Sequence, residues 1–141
     1  MPYKKILIAL DCTDDENGVI NEAIRLAETL SADLSAFHVN DPAAGKAHMM
    51  MDTLRRVNEE NIREQFRTAG FEKQANEIKI TFAESESCAQ EIAKATEDVN
   101  LLVIGHHPKS AFLAALTDSV DERVADLISC PVLLVPKNQS K

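Results

Sequence analysis

The fold of this chain is decided by the stretch LLVIGHHP at residues 101–108, in which four apolar residues run directly into Gly105. A run without polar interruption is typical of a strand that is buried on both faces of a parallel sheet. Further along the chain, a capped amphipathic helix is predicted to begin at Ser119. In parallel α/β proteins, an anion or a nucleotide binds between such a strand and such a helix. The stretch therefore predicts a ligand cleft, although its loop carries a proline and histidines where a phosphate loop uses glycines.

Other short apolar runs alternate with helical patterns along the chain. Strands are predicted at residues 6–10, 33–40, 78–82, 101–104 and 132–135, and a helix is predicted after each of the first four. This alternation predicts an α/β fold, a three-layer sandwich around a five-stranded parallel sheet with right-handed crossovers. The expected strand order is 3-2-1-4-5. Residues 1–137 are expected to form one domain, and residues 138–141 a short C-terminal tail.

Capping signals predict where the helices begin and end. Residues 11–15 offer side-chain oxygens to the start of the first helix. The second helix is predicted from His48 to Thr68, with Val57 among its inward residues and Gly70 just beyond its end. Ser87 opens an S-x-x-Q pattern, which predicts a reciprocal cap on the third helix.

Composition excludes several classes of function. The chain has 141 residues and a net charge of −8, which argues against nucleic acid or anionic lipid as a partner. Its three cysteines form no C-x-x-C pair, and the apolar run at residues 6–10 is too short for a signal peptide or a membrane span. A cytoplasmic location is therefore expected.

Signatures of common nucleotide-binding and hydrolytic proteins are missing from the sequence. The loop after the first strand is acidic, whereas flavodoxins need a hydroxyl- and glycine-rich loop there and dinucleotide-binding folds need G-x-G-x-x-G. There is no Walker motif and no nucleophile elbow. A function in binding or signalling, rather than in catalysis, is therefore predicted.

Five segments of the sequence resemble the universal stress protein family, and together they extend over nearly the whole chain. They are the stretches at residues 6–11, 37–39, 103–105, 119–124 and 130–135. The resemblance implies a fold like that of the adenine nucleotide alpha hydrolases, a role in the stress response and a homodimer. It also implies that Asp11 and Val39 flank an adenosine.

Nucleotide-binding members of that family carry the motif G-x2-G-x9-G-[ST] after the fourth strand. Here Gly105 and Ser119 match its ends, whereas Pro108 and Asp118 replace two of its glycines. Pro108 lacks an N–H group for a phosphate, and Asp118 would repel one by about 1 kcal/mol in water at 4 Å. The resemblance therefore implies the branch without full nucleotide binding, and we predict weak or absent ATP binding with no cofactor.

An alternative function stays open at the same loop. Lys109 and Ser110 could together hold one phosphate. With Asp11, Gly105 and Ser119 they would form the cleft of an ATP-binding regulatory protein or a slow ATPase. Asp11 has a second interpretation, in which it caps the following helix or bonds within its loop.

A metal or small-anion site is a more remote alternative. Cys12, His38, His106 and His107 are predicted at the carboxyl edge of the sheet, but their spacing matches no metal motif. We therefore predict no metal site and interpret His38 as a core histidine.

The sequence of the fifth strand indicates that this strand pairs with another chain. It comprises Val132, Leu133, Leu134 and Val135, so that both of its faces are apolar although it lies at a sheet edge. Pairing with the same strand of a second copy would cover this edge and form a two-fold dimer. A loop or the C-terminal tail could also cover it. A downstream protein partner is expected in addition, without a sequence feature that identifies it.

Overall fold

All five predicted strands are present in the structure, a computed structural model that describes residues 3–12, 16–42, 56–106, 124 and 126–136. The strands are β1 (Lys5–Ala9), β2 (Asp33–Asn40), β3 (Lys79–Glu84), β4 (Leu101–His106) and β5 (Val132–Pro136). They pair in parallel in the order β3-β2-β1-β4-β5, which confirms the predicted topology.

Four helices are described in full: α1 (Asn17–Leu30), α2 (Glu59–Thr68), α3 (Glu72–Glu77) and α4 (Cys88–Ala95). Successive residues of β1 project to opposite faces of the sheet, so that Ile6 and Ile8 pack in one core cluster and Leu7 and Ala9 in another. The sheet is therefore covered on both sides, and the predicted three-layer architecture is confirmed. Within the described ranges, none of the helices has both the length and the apolar character that a membrane span requires.

The second helix begins later than its periodicity predicts. Its predicted first turns at residues 48–55 lie outside the described residues, and residues 56–58 are not helical. Asn58 instead forms a reciprocal cap with Asn61, in which each side chain accepts the other's backbone N–H at 2.9 Å. Val57 has helical spacing, but both of its backbone groups are bonded elsewhere, as described below.

The end of α2 agrees with the sequence. Gly70 follows the last turn with a φ of +99°, a conformation that a residue with a Cβ rarely adopts. A short separate helix, α3, follows this turn and was not predicted. It packs against α2, and the buried residue Ile78 follows it directly before β3 begins.

Candidate functional site

Asp11, Val39 and Gly105 lie together at the carboxyl end of the sheet, which we call the carboxyl-edge cleft. The register pairs Ala9 with Phe37 on one side and with Ile104 on the other, so that the chains leaving β1, β2 and β4 end at one level. This is the place where parallel α/β proteins bind ligands. Three further predicted site residues, Lys109, Ser110 and Ser119, lie outside the described residues, as do Pro108 and Asp118.

Glu16 organises the loop after β1 and was missed as a site residue. Its carboxylate is only 3% exposed and accepts the backbone N–H groups of Asp11 at 3.3 Å and of Cys12 at 3.0 Å. Cys12 has a φ of +62°, which costs a residue with a Cβ roughly 1–2 kcal/mol. The charge-assisted bonds from Glu16 hold this strained turn in place.

This arrangement corrects the predicted cap of the first helix. The N-cap position is Glu16 rather than a residue of the segment 11–15, and its side chain makes no capping hydrogen bond. The carboxylate turns back to the loop because two consecutive N–H groups converge there. An acidic residue directly before a helical pattern was the available signal, but it gives no direction for the side chain.

His38 is a core residue, as the sequence predicted. It is buried, and its Nδ1 lies 2.6 Å from the carbonyl oxygen of Leu10. Because a carbonyl oxygen only accepts hydrogen bonds, Nδ1 carries the proton in this contact. The ring also meets Phe82 edge-on, with the ring centroids 6.2 Å apart. His38 therefore links the segment after β1 to β2 through its Nδ1.

Asn40 binds the segment around Val57, which lies at the carboxyl end of β2. Its side chain is buried, donates to the Val57 carbonyl at 2.9 Å and accepts the Val57 N–H at 3.0 Å. The neighbouring Arg56 forms a half-exposed ion pair with Glu84 at 2.8 Å. Asn40 thus holds Val57 next to the carboxyl end of β2.

Cys88 begins α4 next to the cleft. Burial raises the pKa of its thiol, and the negative charge of Asp11 raises this pKa further. The thiol therefore stays protonated at neutral pH. Ser87 is the N-cap residue as predicted, but its side chain makes no capping bond, so that the predicted reciprocal cap with Gln90 does not form.

We predict that Asp11→Asn speeds the alkylation of Cys88. Removal of the neighbouring charge lowers the thiol pKa and thereby raises the thiolate fraction at mildly alkaline pH. Because the thiolate is the reactive form, we expect labelling to become several-fold faster. Peptide mass spectrometry after timed iodoacetamide treatment measures the rate at this cysteine alone. Glu86→Gln removes an equal charge that does not contribute to the shift and should leave the rate unchanged. Equal rates in Asp11→Asn and the parent protein would contradict the assignment.

A metal centre finds no support in the part of the chain that the structure covers. Among these residues, no group of three or more His, Cys, Asp or Glu side chains is arranged to hold an ion. His107 and the side chain of His106 lie outside that part, so that the prediction about them stays a prediction.

The family model of the universal stress protein family matches residues 2–136 of the chain. The chain belongs to this family. Universal stress protein MJ0531 from Methanocaldococcus jannaschii is 31% identical over 147 aligned positions, with 96% of this chain and 83% of the relative covered. This agreement confirms the resemblance that the sequence segments indicated.

Solved structures of the family show the same fold, that of the adenine nucleotide alpha hydrolase-like proteins. A universal stress protein crystallised with cAMP superposes with a TM-score of 0.67 at 20% identity, with 98% of this chain and 100% of that chain covered. The universal stress protein from Archaeoglobus fulgidus in complex with dAMP has a TM-score of 0.52 at 17% identity, with 96% of this chain and 99% of that chain covered.

Proposed function

We propose that this universal stress protein acts in the cytoplasm as a non-catalytic homodimer that binds ATP weakly or not at all. One observation carries the proposal for the ligand: a side chain of the protein itself, the Glu16 carboxylate, already occupies the converging N–H groups of the loop after β1. An anion could bind these N–H groups only by displacing Glu16, so that the loop after β1 adds no phosphate site to the motif after β4, which Pro108 and Asp118 already interrupt. No cofactor is required for this function.

The charges around the carboxyl-edge cleft also argue against strong ATP binding. Acidic residues follow two neighbouring strands, with Asp11 after β1 and Asp41 after β2, whereas Glu84 at the end of β3 is paired with Arg56. Each carboxylate repels a phosphate by about 1 kcal/mol at 4 Å in water and by more where water is excluded. Together with Asp118 and Pro108 in the sequence, these charges disfavour a polyphosphate chain.

The proposal of a dimer rests on the exposed edge strand of the sheet. In the described part of the chain, β5 pairs with β4 and with no other strand. Leu133 and Leu134 project from opposite faces, yet they are 37% and 47% exposed. Apolar edges of this kind are prone to pair with another chain, and a second β5 would satisfy both its hydrogen bonds and its side chains.

Binding of an adenine mononucleotide is the second candidate. The relatives crystallised with cAMP and dAMP favour it, since each of these ligands has a single phosphate. Asp11 follows β1 at the carboxyl edge of the sheet, and its carboxylate would bind the ribose or the base in this candidate. This function would serve regulation and would tolerate the acidic loop better than ATP binding does.

Native mass spectrometry tests the proposal. The protein is expected at twice the 15.5 kDa of one chain, without bound ATP when Mg-ATP is supplied in excess. The double change Pro108→Gly and Asp118→Gly should strengthen ATP binding, because it restores two glycines of the family motif. A low-micromolar dissociation constant for ATP with the parent protein would overturn the first candidate. Binding of AMP but not of ATP would establish the second, whereas a bound metal ion would contradict both.

A further inference from the structure

A second concave site lies at the amino end of the sheet, opposite the carboxyl-edge cleft. It is a groove of about 270 Å³ between α1, the start of β2 and α3. Four apolar residues contribute to its floor: Ile24, Ala27, Leu34 and Ile78. Three of these are buried and Leu34 is half-buried, so that the floor is part of the core.

Exposed carboxylates border this floor. Glu28, Asp33 and Glu77 line the groove, and no lysine, arginine or histidine does so. None of the three forms an ion pair with a described basic residue. Lys5 is the register partner of Asp33 in β1, but it does not line the groove. The groove is therefore negative and lacks internal neutralisation.

One helix terminus strengthens this negative field. Glu28 lies in the last turn of α1, which contains no basic residue. Glu77 is the last residue of α3, where Arg63 Nη1 already donates to the Ala75 carbonyl at 2.6 Å, so that this end adds no further negative field. The carboxyl end of a helix carries a partial negative charge, so that an acidic residue there is destabilising. Residues that disfavour their own local structure are expected where a function requires them.

The chemistry of the groove selects its ligand. No three carboxylates in the described residues converge on one point, which excludes them as a cage for a metal ion. At about 270 Å³ the groove lies just below the range of about 300–1,000 Å³ that is typical of small-molecule sites, which favours a small and slender ligand. A narrow chain that carries several separated positive charges on apolar segments fits both the floor and the rim.

We propose that the groove binds an aliphatic polyammonium ion. Its methylene segments pack on Ile24, Ala27 and Ile78, and its ammonium groups pair with Glu28, Asp33 and Glu77. This site is independent of the carboxyl-edge cleft and of the function proposed for it.

Calorimetric titration with spermidine tests the proposal. We expect one molecule to bind per chain, and we expect the double variant Glu28→Gln and Glu77→Gln to bind at least about tenfold more weakly. Without spermidine, this variant should melt at a higher temperature than the parent, because it removes the unfavourable charge of Glu28 at the end of α1. A loss of binding is then separable from a loss of folding.

A matched variant controls for general attraction to an acidic protein. Glu86→Gln with Glu97→Gln removes two exposed charges that do not line the groove and should leave spermidine binding unchanged. Equal weakening in both double variants would overturn the proposal, as would displacement of spermidine by equimolar Mg²⁺. Binding of an arginine-containing peptide at the groove without binding of spermidine would also overturn it, in favour of a protein partner.

Discussion

Asn40→Ala is expected to lower the free energy of unfolding by about 2–4 kcal/mol. The side chain is 4% exposed and satisfies both the N–H and the C=O of Val57, which is itself buried. Alanine would leave both backbone groups without partners in a place that water reaches poorly, and each such group costs about 1–3 kcal/mol. Urea denaturation followed by circular dichroism measures the loss.

Asn61→Ala is the matched control for this change. It removes an amide of the same size whose hydrogen bonds cap α2 at an exposed position. A cap contributes about 1 kcal/mol, so that the control should lose clearly less stability than Asn40→Ala. Equal losses in the two variants would show that water replaces the bonds at Val57, and the role assigned to Asn40 would be wrong.

Leu134→Lys is expected to convert the proposed dimer into monomers. Since a two-fold interface repeats each residue, the change places two lysines at one apolar edge. A buried charge without a partner costs on the order of 3–5 kcal/mol, which is more than a hundredfold in the dissociation constant. Sedimentation velocity at tens of micromolar should show a change from twice the chain mass to the 15.5 kDa of one chain.

Phe82→Lys provides the matched control for the dimer. Phe82 is an exposed large apolar residue on β3, which forms the opposite edge of the sheet. This variant should remain a dimer if β5 is the interface. A monomeric parent protein would contradict the dimer itself, and a dimeric Leu134→Lys with a monomeric Phe82→Lys would place the interface on β3.

Strand positions could be predicted from the sequence because their signal is local. A run such as Ile6–Leu10 is apolar at every position, and this pattern belongs to a strand covered on both faces. The parallel pairing followed from the alternation of strands and helices together with the handedness of their connections, whereas the strand order was expected together with the fold that the family resemblance implies. The structure confirms both.

Sequence prediction failed at positions where long-range hydrogen bonds decide the local structure. Val57 has the spacing of a helix face, but the side chain of Asn40, seventeen positions earlier in the chain, binds both of its backbone groups. The role of Glu16 depends on a left-handed turn at Cys12, which no propensity of cysteine indicates. Such contacts form only after the sheet has brought separate segments together.

The two candidate sites also differ in whether the sequence or only the tertiary structure reveals them. Asp11 and Gly105 were predicted at one place because the ends of adjacent parallel strands share one edge, and Val39 was predicted there by the family resemblance. The acidic groove has no motif, since Glu28 and Asp33 lie on a helix and on the following strand, and Glu77 comes from a helix more than forty positions later. The sequence by itself determined the family, the strand order and the strand ends that form the cleft, because periodicity and local motifs encode them. Only the tertiary structure decided that Glu16 occupies its own loop and that Glu28, Asp33 and Glu77 border one floor, because side-chain direction and long-range proximity arise from packing.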